Sequence, residues 1–432
     1  MIINSNPVAI IADDLTGAND SALQFYLYGA KTQILLAENA ITDCDENTQV
    51  YALTTETRNS SAEIAYEKVT SASKLMIEKL STEYFFKKID STIRGNIAIE
   101  TLTVLKELGW DATVVVPAFP DEQRITVGGY HLLRNTPIGM SEVSHDPKAP
   151  ICESYLPELF ASQLDEKYQR LVGHVELNTI MKGAGPILVK INELIDAGKK
   201  LIIADAVSNT DIEQISLAIN KTDKKILPAG TAAFASSLAK LWFGDNNQEF
   251  IKPDLPDIPK CIIAGSATDL CAKQVSALKN SKYFENFVEY DLKFEDIHKA
   301  ISENMLADII NNINAGKNIL IHSVNLQDDV NSYYENSIEN DDNMSFPTLI
   351  TEYLSNLASK IQQNSDVIFV FVGGETAYKA CKKTGAEKLS LKDRVISTIP
   401  LCIASNGQWI ITKSGNLGNT ETLIEVMKYF EE

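Results

Sequence analysis

Val8-Ala9-Ile10-Ile11-Ala12-Asp13-Asp14-Leu15-Thr16-Gly17-Ala18-Asn19-Asp20 runs from five consecutive apolar residues into two carboxylates and a glycine turn. So short and so apolar a run is a strand buried on both faces, and the polar cluster after it opens a helix, as in a parallel α/β layer. Open sheets of this kind bind ligands at the carboxyl ends of their strands. Side chains alternate along an extended strand, so one of Asp13 and Asp14 is expected to face a crevice while the other caps or braces the loop.

Outward from this stretch the same alternation repeats. Strands are expected at residues 8–12, 32–36, 50–53, 84–89, 113–116 and 201–204, and helices at 18–27, 62–80 and 211–219. The polar stretch 244–260 holds three prolines and neither period, and reads as a linker. A second α/β unit then begins, with strands at 261–264, 318–321, 367–372 and 408–412. Residues 326–343 are acidic and Asn-rich, which predicts an exposed insertion. A chain of 432 residues exceeds the roughly 250–300 residues of a single core. The expected fold is therefore α/β with two domains, 1–243 and 261–432, each a mostly parallel sheet flanked by helices, with an interdomain cleft.

Composition removes several classes of function. No apolar run approaches the ~20 residues of a membrane helix, and the N-terminal apolar run lacks a basic region before it, so a cytoplasmic protein is expected. A net charge of -19 disfavours nucleic acid and anionic membranes as partners. The six cysteines are scattered without a C-x-x-C pair, which argues against zinc sites and disulfides and for core thiols. No oligomeric state follows, and a homo-oligomer is compatible. Arginine is scarce, six residues against 33 lysines, yet Arg58, Arg94, Arg124 and Arg134 fall in one third of the chain. Nucleotide bias explains the scarcity; the forked guanidinium also suits carboxylate recognition.

Three further clusters follow apolar strands. Lys87-Lys88-Ile89-Asp90-Ser91-Thr92-Ile93-Arg94-Gly95-Asn96 crowds an acid, two hydroxyls, a guanidinium and an amide into one turn, more than a helix cap requires. Such a set suits a polyhydroxy carboxylate, with Arg94 on the carboxylate. Gly265-Ser266-Ala267-Thr268-Asp269 and Gly373-Gly374-Glu375-Thr376-Ala377 place glycines where backbone N–H groups meet the positive end of a helix, which suits phosphate, although glycine turns are also common connectors. Thr412-Lys413-Ser414-Gly415-Asn416-Leu417-Gly418 adds a lysine and two glycines that would close over phosphates, or form a plain hairpin. P-loop, Rossmann and nucleophile-elbow patterns are absent, and His145-Asp146 reads as a surface loop.

In this order and spacing, A-D-D-L-T-G-A-N-D, K-I-D-S-T-I-R-G-N, G-G-E-T-A and T-K-S-G resemble the four-carbon acid sugar kinases. V-V-P-A-F-P, G-G-Y, D-P-K-A-P and P-A-G-T-A-A-F extend the resemblance over nearly the whole chain. It implies an N-terminal sugar-acid-binding domain, a C-terminal nucleotide-binding domain, and transfer of the ATP γ-phosphoryl to the terminal hydroxyl of D-threonate, D-erythronate, L-threonate or 3-oxo-tetronate. It further implies that Asp13 or Asp14, Arg58, Lys88, Asp90, Ser91 and Thr92 contact the acid. Ser266, Gly373, Gly374, Glu375, Thr376 and Gly418 would lie against ATP. The D-P-K-A-P segment leans toward D-threonate. Asn416-Leu417 and Ile399-Pro400-Leu401-Cys402 depart from the family's usual patterns, at the expected adenine and ribose wall.

Phosphoryl transfer rests on positioning and electrostatics. The expected parts are Mg²⁺ bridging the ATP phosphates, Gly373 and Gly374 amides on the polyphosphate, Asp14 or Asp90 orienting the attacking hydroxyl, and Lys413 against developing charge; the metal ligands stay unknown. Closure across the linker would exclude water. Two rivals remain: a haloacid-dehalogenase-type phosphatase, suggested by Asp13, Asp14 and Thr16, and a sugar-acid sensor without turnover.

Overall fold

The computed structural model describes residues 6–146, 149–244, 251–266, 268–326, 346–396 and 398–431. The chain divides into two compact units, Met1–Gln248 and Glu249–Glu432. Of the stretch read as a linker, 245–250 lie outside the described residues, and 251–259 carry neither helix nor strand. The expected insertion at 326–343 lies outside them beyond Leu326, as do Pro147 and Lys148 of D-P-K-A-P.

The first unit is built on eight parallel strands: β1 (Val8–Ala12), β2 (Thr32–Leu35), β3 (Val50–Thr54), β4 (Tyr84–Lys88), β5 (Ala112–Val116), β9 (Val172–Val175), β10 (Leu201–Ala204) and β11 (Ile226–Gly230). Their order is β2-β3-β1-β4-β11-β5-β10-β9. All five residues of β1 are buried, as an unbroken apolar run in a sheet covered on both faces must be. β3 and β4 flank β1 in register, so the loops leaving three neighbouring strands emerge side by side. The first helix begins earlier than its apolar period indicates, at Leu15, because the Asp14 carboxylate caps it by accepting from the Gly17 N–H at 2.8 Å. A Ser208–Asp211 capping box likewise starts its helix at Asn209.

A small antiparallel sheet, β6 (Arg124–Val127), β7 (Tyr130–Leu133) and β8 (Thr136–Pro137), was not expected. Its strands are too short and mixed to show a period. It is fastened across the carboxyl edge of the large sheet: Arg124 pairs with Phe119, which follows β5, and Thr126 with Ala206, which follows β10. The fully buried Asp205 holds the turn, accepting from the N–H groups of Gly128 and Gly129 at 2.7 and 3.0 Å, from the Leu177 N–H, and from His174.

In the second unit β13 (Phe287–Asp291), β14 (Asn318–His322), β12 (Lys260–Ala264), β15 (Ile368–Val372) and β18 (Trp409–Lys413) run parallel in that spatial order. Two antiparallel strands, β17 (Ile399–Ala404) and β16 (Lys388–Ile396), continue the sheet beside β18. Buried and more exposed residues alternate along β16, the pattern of a strand with one solvated face. Each unit has its own apolar core. The cysteines depart from expectation: Cys261, Cys271, Cys381 and Cys402 are buried, but Cys44 is half-buried and Cys152 exposed. Among the described residues no helix is long and apolar enough to cross a membrane.

Candidate functional site

The loops after β1, β3 and β4 build one cluster of charge. Arg58, on the loop after β3, donates Nε to Asp13 Oδ2 at 2.7 Å and Nη1 to Asp14 Oδ2 at 2.6 Å, while Nη2 reaches Asp13 Oδ1 at 3.1 Å and Asp14 Oδ1 at 2.7 Å. Of the expected division of labour, Asp14 does cap the helix, but Asp13 is not left alone to face a crevice: both carboxylates are held by Arg58. Asp14 is still extended (φ -148°, ψ 164°) and the helix begins only at Leu15, yet both carboxylates meet the same guanidinium, which the loop after β3 brings between them. Burial pushes the Asp13 carboxyl upward, but Arg58, Lys87 and Lys88 override it and hold it below the usual carboxylate range.

Asp90, Ser91, Thr92 and Arg94 occupy the turn after β4. Asp90 Oδ2 accepts from Thr92 Oγ1 at 2.6 Å and from Arg94 Nε at 2.7 Å, and Asp90 Oδ1 lies 3.9 Å from Arg58 Nη2. Burial opposes the Asp90 charge, yet Arg94 and Arg58 hold its pKa well below the ordinary value. Arg94, expected on a substrate carboxylate, also gives Nη1 to Asp146 Oδ2 at 3.1 Å. Asp146 is thus an ion-pair partner and not the plain surface residue its loop sequence suggests. The turn is tight: Ile93 has φ 64°, and a Cβ on Gly95 (φ +90°) would stand 2.9 Å from the Arg58 carbonyl oxygen. A β-branched residue in the left-handed region stores strain, which persists because the surroundings over-determine the turn. Asn96 helps to do so, donating Nδ2 to the carbonyls of Thr57 and Ser60. Lys88 is buried with Nζ on the Ile89 carbonyl at 2.8 Å, beside Gly17.

Four residues of this edge escaped the sequence reading. His131, on β7, is buried between Thr126 Oγ1 and the Ser91 carbonyl. A carbonyl only accepts, so Nε2 carries the proton. Burial pulls the His131 pKa down to about 4, which keeps the ring neutral. Asp20, on the first helix, has a buried Oδ1 that makes no hydrogen bond, and burial pushes its pKa up to about 7. Arg124, on β6, is buried with Glu122 3.5 Å from Nη1. Glu56 accepts at Oε1 from the Leu15 N–H at 2.7 Å and from Thr54 Oγ1 at 2.6 Å. Asp20 lay within the first motif and Arg124 within the arginine-rich third; Glu56 and His131 carried no local signal.

Burial and the neighbouring Asp14 push the Glu56 pKa up to about 8. Between the unfolded value near 4.3 and about 8, the folded state holds a proton the unfolded state has lost, so stability falls as pH rises through this window. Glu56→Gln, which cannot ionise, is expected to flatten the dependence of melting temperature on pH between 6 and 8. An unchanged slope refutes the assignment.

In the second unit the sequence-predicted turns come together at the carboxyl ends of three adjacent strands, β12, β15 and β18. Gly265 N–H donates to the Val372 carbonyl at 3.1 Å and Gly373 N–H to the Lys413 carbonyl at 2.8 Å. Thr268 Oγ1 donates to the Gly415 carbonyl at 3.1 Å and lies 3.2 Å from Ser266 Oγ. Gly373 (φ +117°) is the N-cap of the helix Gly374–Lys383, whose first turn holds Glu375 and Thr376 with backbone N–H groups that have no partner inside the helix. Thr376 Oγ1 fills the space where Gly265 would carry a Cβ, while Glu375 pairs with Lys379 at 3.3 Å. Lys413 is buried with Nζ on the Ser414 carbonyl at 2.7 Å. Gly418 (φ +83°) packs on Thr422, between Leu417 and Asn419, whose carbonyls accept from Gln274. Gly265 and Gly415 lie in turns whose glycines the sequence analysis reads as suited to phosphate, while Thr268, which ties two of those turns together, had no role of its own there.

Comparisons with known proteins bear on each unit. A family model described as a sugar-binding N-terminal domain matches residues 8–238, and one described as a nucleotide-binding C-terminal domain matches 261–423. A D-erythronate kinase of Heliobacterium modesticaldum is 28% identical over 98% of this chain and 96% of its own length. A D-threonate kinase of Salmonella typhimurium is 25% identical over 98% of both chains. A 3-oxo-tetronate kinase of Haemophilus influenzae is 25% identical over 96% of this chain and 97% of its own. Crystal structures of a Haemophilus influenzae protein (TM-score 0.72, 22% identity, 98% of this chain and 99% of that one) and a Salmonella typhimurium protein (TM-score 0.76, 20%, 98% of each) share the fold.

Proposed function

This chain belongs to the four-carbon acid sugar kinase family, and from that premise we propose that it transfers the γ-phosphoryl of ATP to the terminal O4 hydroxyl of a four-carbon sugar acid. The observation that carries the reading is the convergence of Gly265-Ser266, Gly373-Gly374 and Ser414–Gly418 on neighbouring parallel strands. Backbone N–H groups at a helix start, with glycines leaving room for close approach, suit the oxygens of a polyphosphate. Lys413, at the end of β18, supports the same charge. The acceptor falls to the first unit, where Lys88, Ser91 and Thr92 offer hydroxyl and ammonium contacts.

Two aspartates remain candidates to orient the attacking hydroxyl. Asp14 caps its helix and is held by Arg58, whereas Asp90 has its Oδ1 3.9 Å from Arg58 Nη2, too far for a hydrogen bond. That freedom favours Asp90. Both oxygens of Asp13 are engaged by Arg58, which removes the free carboxylate nucleophile a haloacid-dehalogenase-type phosphatase requires. Magnesium bound to a nucleotide takes most of its ligands from phosphate and water, and one or two from protein carboxylates. Among the described residues no group of three or more His, Cys, Asp or Glu is arranged to hold a metal ion by itself. Glu375, in the first turn after the glycines, would hold the nucleotide's magnesium, and the ion would neutralise charge on the transferring group.

Support for the substrate is divided: the D-P-K-A-P segment favours D-threonate, while D-erythronate and 3-oxo-tetronate are substrates named for relatives of similar identity. The deciding experiment offers D-threonate, D-erythronate, L-threonate and 3-oxo-tetronate with ATP and Mg²⁺, following ADP release and the O4-phosphorylated product. One acid is expected to dominate, with D-threonate first. ADP release no faster than in the absence of any acid sinks the proposal.

A further inference from the structure

We infer that Arg124 receives the carboxylate of the substrate, and is therefore the residue that makes this edge select a sugar acid over a neutral sugar. The inference rests on the sugar-acid reading above and names the contact that reading lacks.

Three guanidiniums approach this edge, and two are already spent. Arg58 gives four hydrogen bonds to Asp13 and Asp14, and Arg94 is held by Asp90 and Asp146. Each of these cations is thus already matched by at least two carboxylates, so an incoming anion gains less from it than from an uncompensated one. Arg124 differs. It is 6% exposed, yet its Nε and Nη1 make no hydrogen bond among the described residues, and Glu122 stands 3.5 Å from Nη1, beyond a good charge-assisted bond. Leaving donors of a charged group buried and unmet costs more than leaving those of a neutral group so, and a second anion is the partner this geometry calls for.

Electrostatics agrees with the geometry. Acidic neighbours raise the pKa of Arg58 and of Arg94 against the opposing effect of burial. At Arg124 burial wins: its pKa is pulled down although Glu122, Asp90 and Asp20 favour the charge, and Arg94 opposes it. Arg124 is thus the under-compensated cation of the three. The same interactions place it within electrostatic reach of Asp90, Arg94 and Asp20.

Its backbone is held rigidly where a ligand would arrive. Arg124 exchanges two hydrogen bonds with Phe119, and one residue pair further on Thr126 and Ala206 exchange two more. His131, on the neighbouring strand, is tied to the Ser91 carbonyl of the Asp90 turn at 2.9 Å. A cation so fixed binds without the entropy loss of ordering a free side chain. Asp20 adds an acceptor for a neighbouring hydroxyl through its unbonded Oδ1.

The test compares a tetronate with its tetronamide, in which a neutral amide replaces the carboxylate, in the wild type, Arg124→Met and Arg124→Lys. The expected result is a wild type that prefers the acid, and a Met variant whose KM for the acid rises about 100-fold with kcat nearly unchanged. The acid-over-amide preference should vanish in that variant, and Lys should restore part of it. Melting temperatures recorded without ligand separate lost binding from lost folding, and the Lys variant keeps the test open if Met unfolds the edge. A Met variant that still prefers the acid overturns the inference, as does one that loses kcat with KM intact, the mark of a clamp on the transferred phosphoryl. If the wild type binds the tetronate without turnover, the kinase proposal fails, and calorimetric dissociation constants for the same acid and amide decide the role of Arg124 by the same criterion. A wild type that binds neither overturns both.

Discussion

Arg58→Met is expected to abolish turnover and to destabilise the first unit by about 3–5 kcal/mol, the cost of leaving a buried ion-pair network without its cation. One guanidinium satisfies four carboxylate oxygens on Asp13 and Asp14 and lies 3.9 Å from a fifth on Asp90. Without it Asp13 keeps only the more distant help of Lys87 and Lys88. The pH dependence gives the sign. Asp13 and Asp90 have folded values below their unfolded ones, so the stability they contribute is full above roughly pH 4 and is lost as pH falls through the depressed values. Without Arg58 those values rise, and the acid limb of a stability curve should move to higher pH. Arg58→Lys restores charge but not the fork, and should recover only part of the loss. Denaturant unfolding at several pH values measures both effects, and a Met variant with an unshifted acid limb rules out this account of the cluster.

Gly415→Ala should have an effect of comparable size on the other unit. A Cβ at Gly415 would lie 1.9 Å from Ser266 Oγ and 2.7 Å from Ser266 Cβ. The hydroxyl can rotate away, but the Cβ is anchored to the backbone, so the two loops must separate. A misplacement of about 1 Å in a positioning element can cost on the order of 100-fold in rate, and a loss of nucleotide affinity is expected here, with binding of the sugar acid retained. Calorimetry with ADP and with a tetronate measures the two separately. Gly415→Ala combined with Ser266→Ala removes the Oγ clash but keeps the Cβ one, and should remain impaired. Undiminished nucleotide affinity in the single variant means the three loops do not form a phosphate cradle.

What the sequence by itself determined is local and periodic. The run Val8–Ala12 can only be a strand buried on both faces, and the strands expected from similar runs appear within one residue of their places. The glycine turns at Gly265, Gly373 and Gly415 were legible because strand, turn and helix succeed one another within a few residues, where backbone rules operate. Only the tertiary structure decided which side chains meet. Asp13 and Arg58 are 45 residues apart, and Ser91 and His131 40 apart. Nothing in either segment specifies its distant partner, because the pairing follows from strand order in the sheet. The same holds for Glu56, whose raised pKa comes from burial against the first helix. It holds for Arg124 too, which reads as one more basic residue until packing strips it of water and leaves its donors unmatched. Periodicity reports where a chain goes; desolvation, which sets the energy of a charge, depends on everything packed around it.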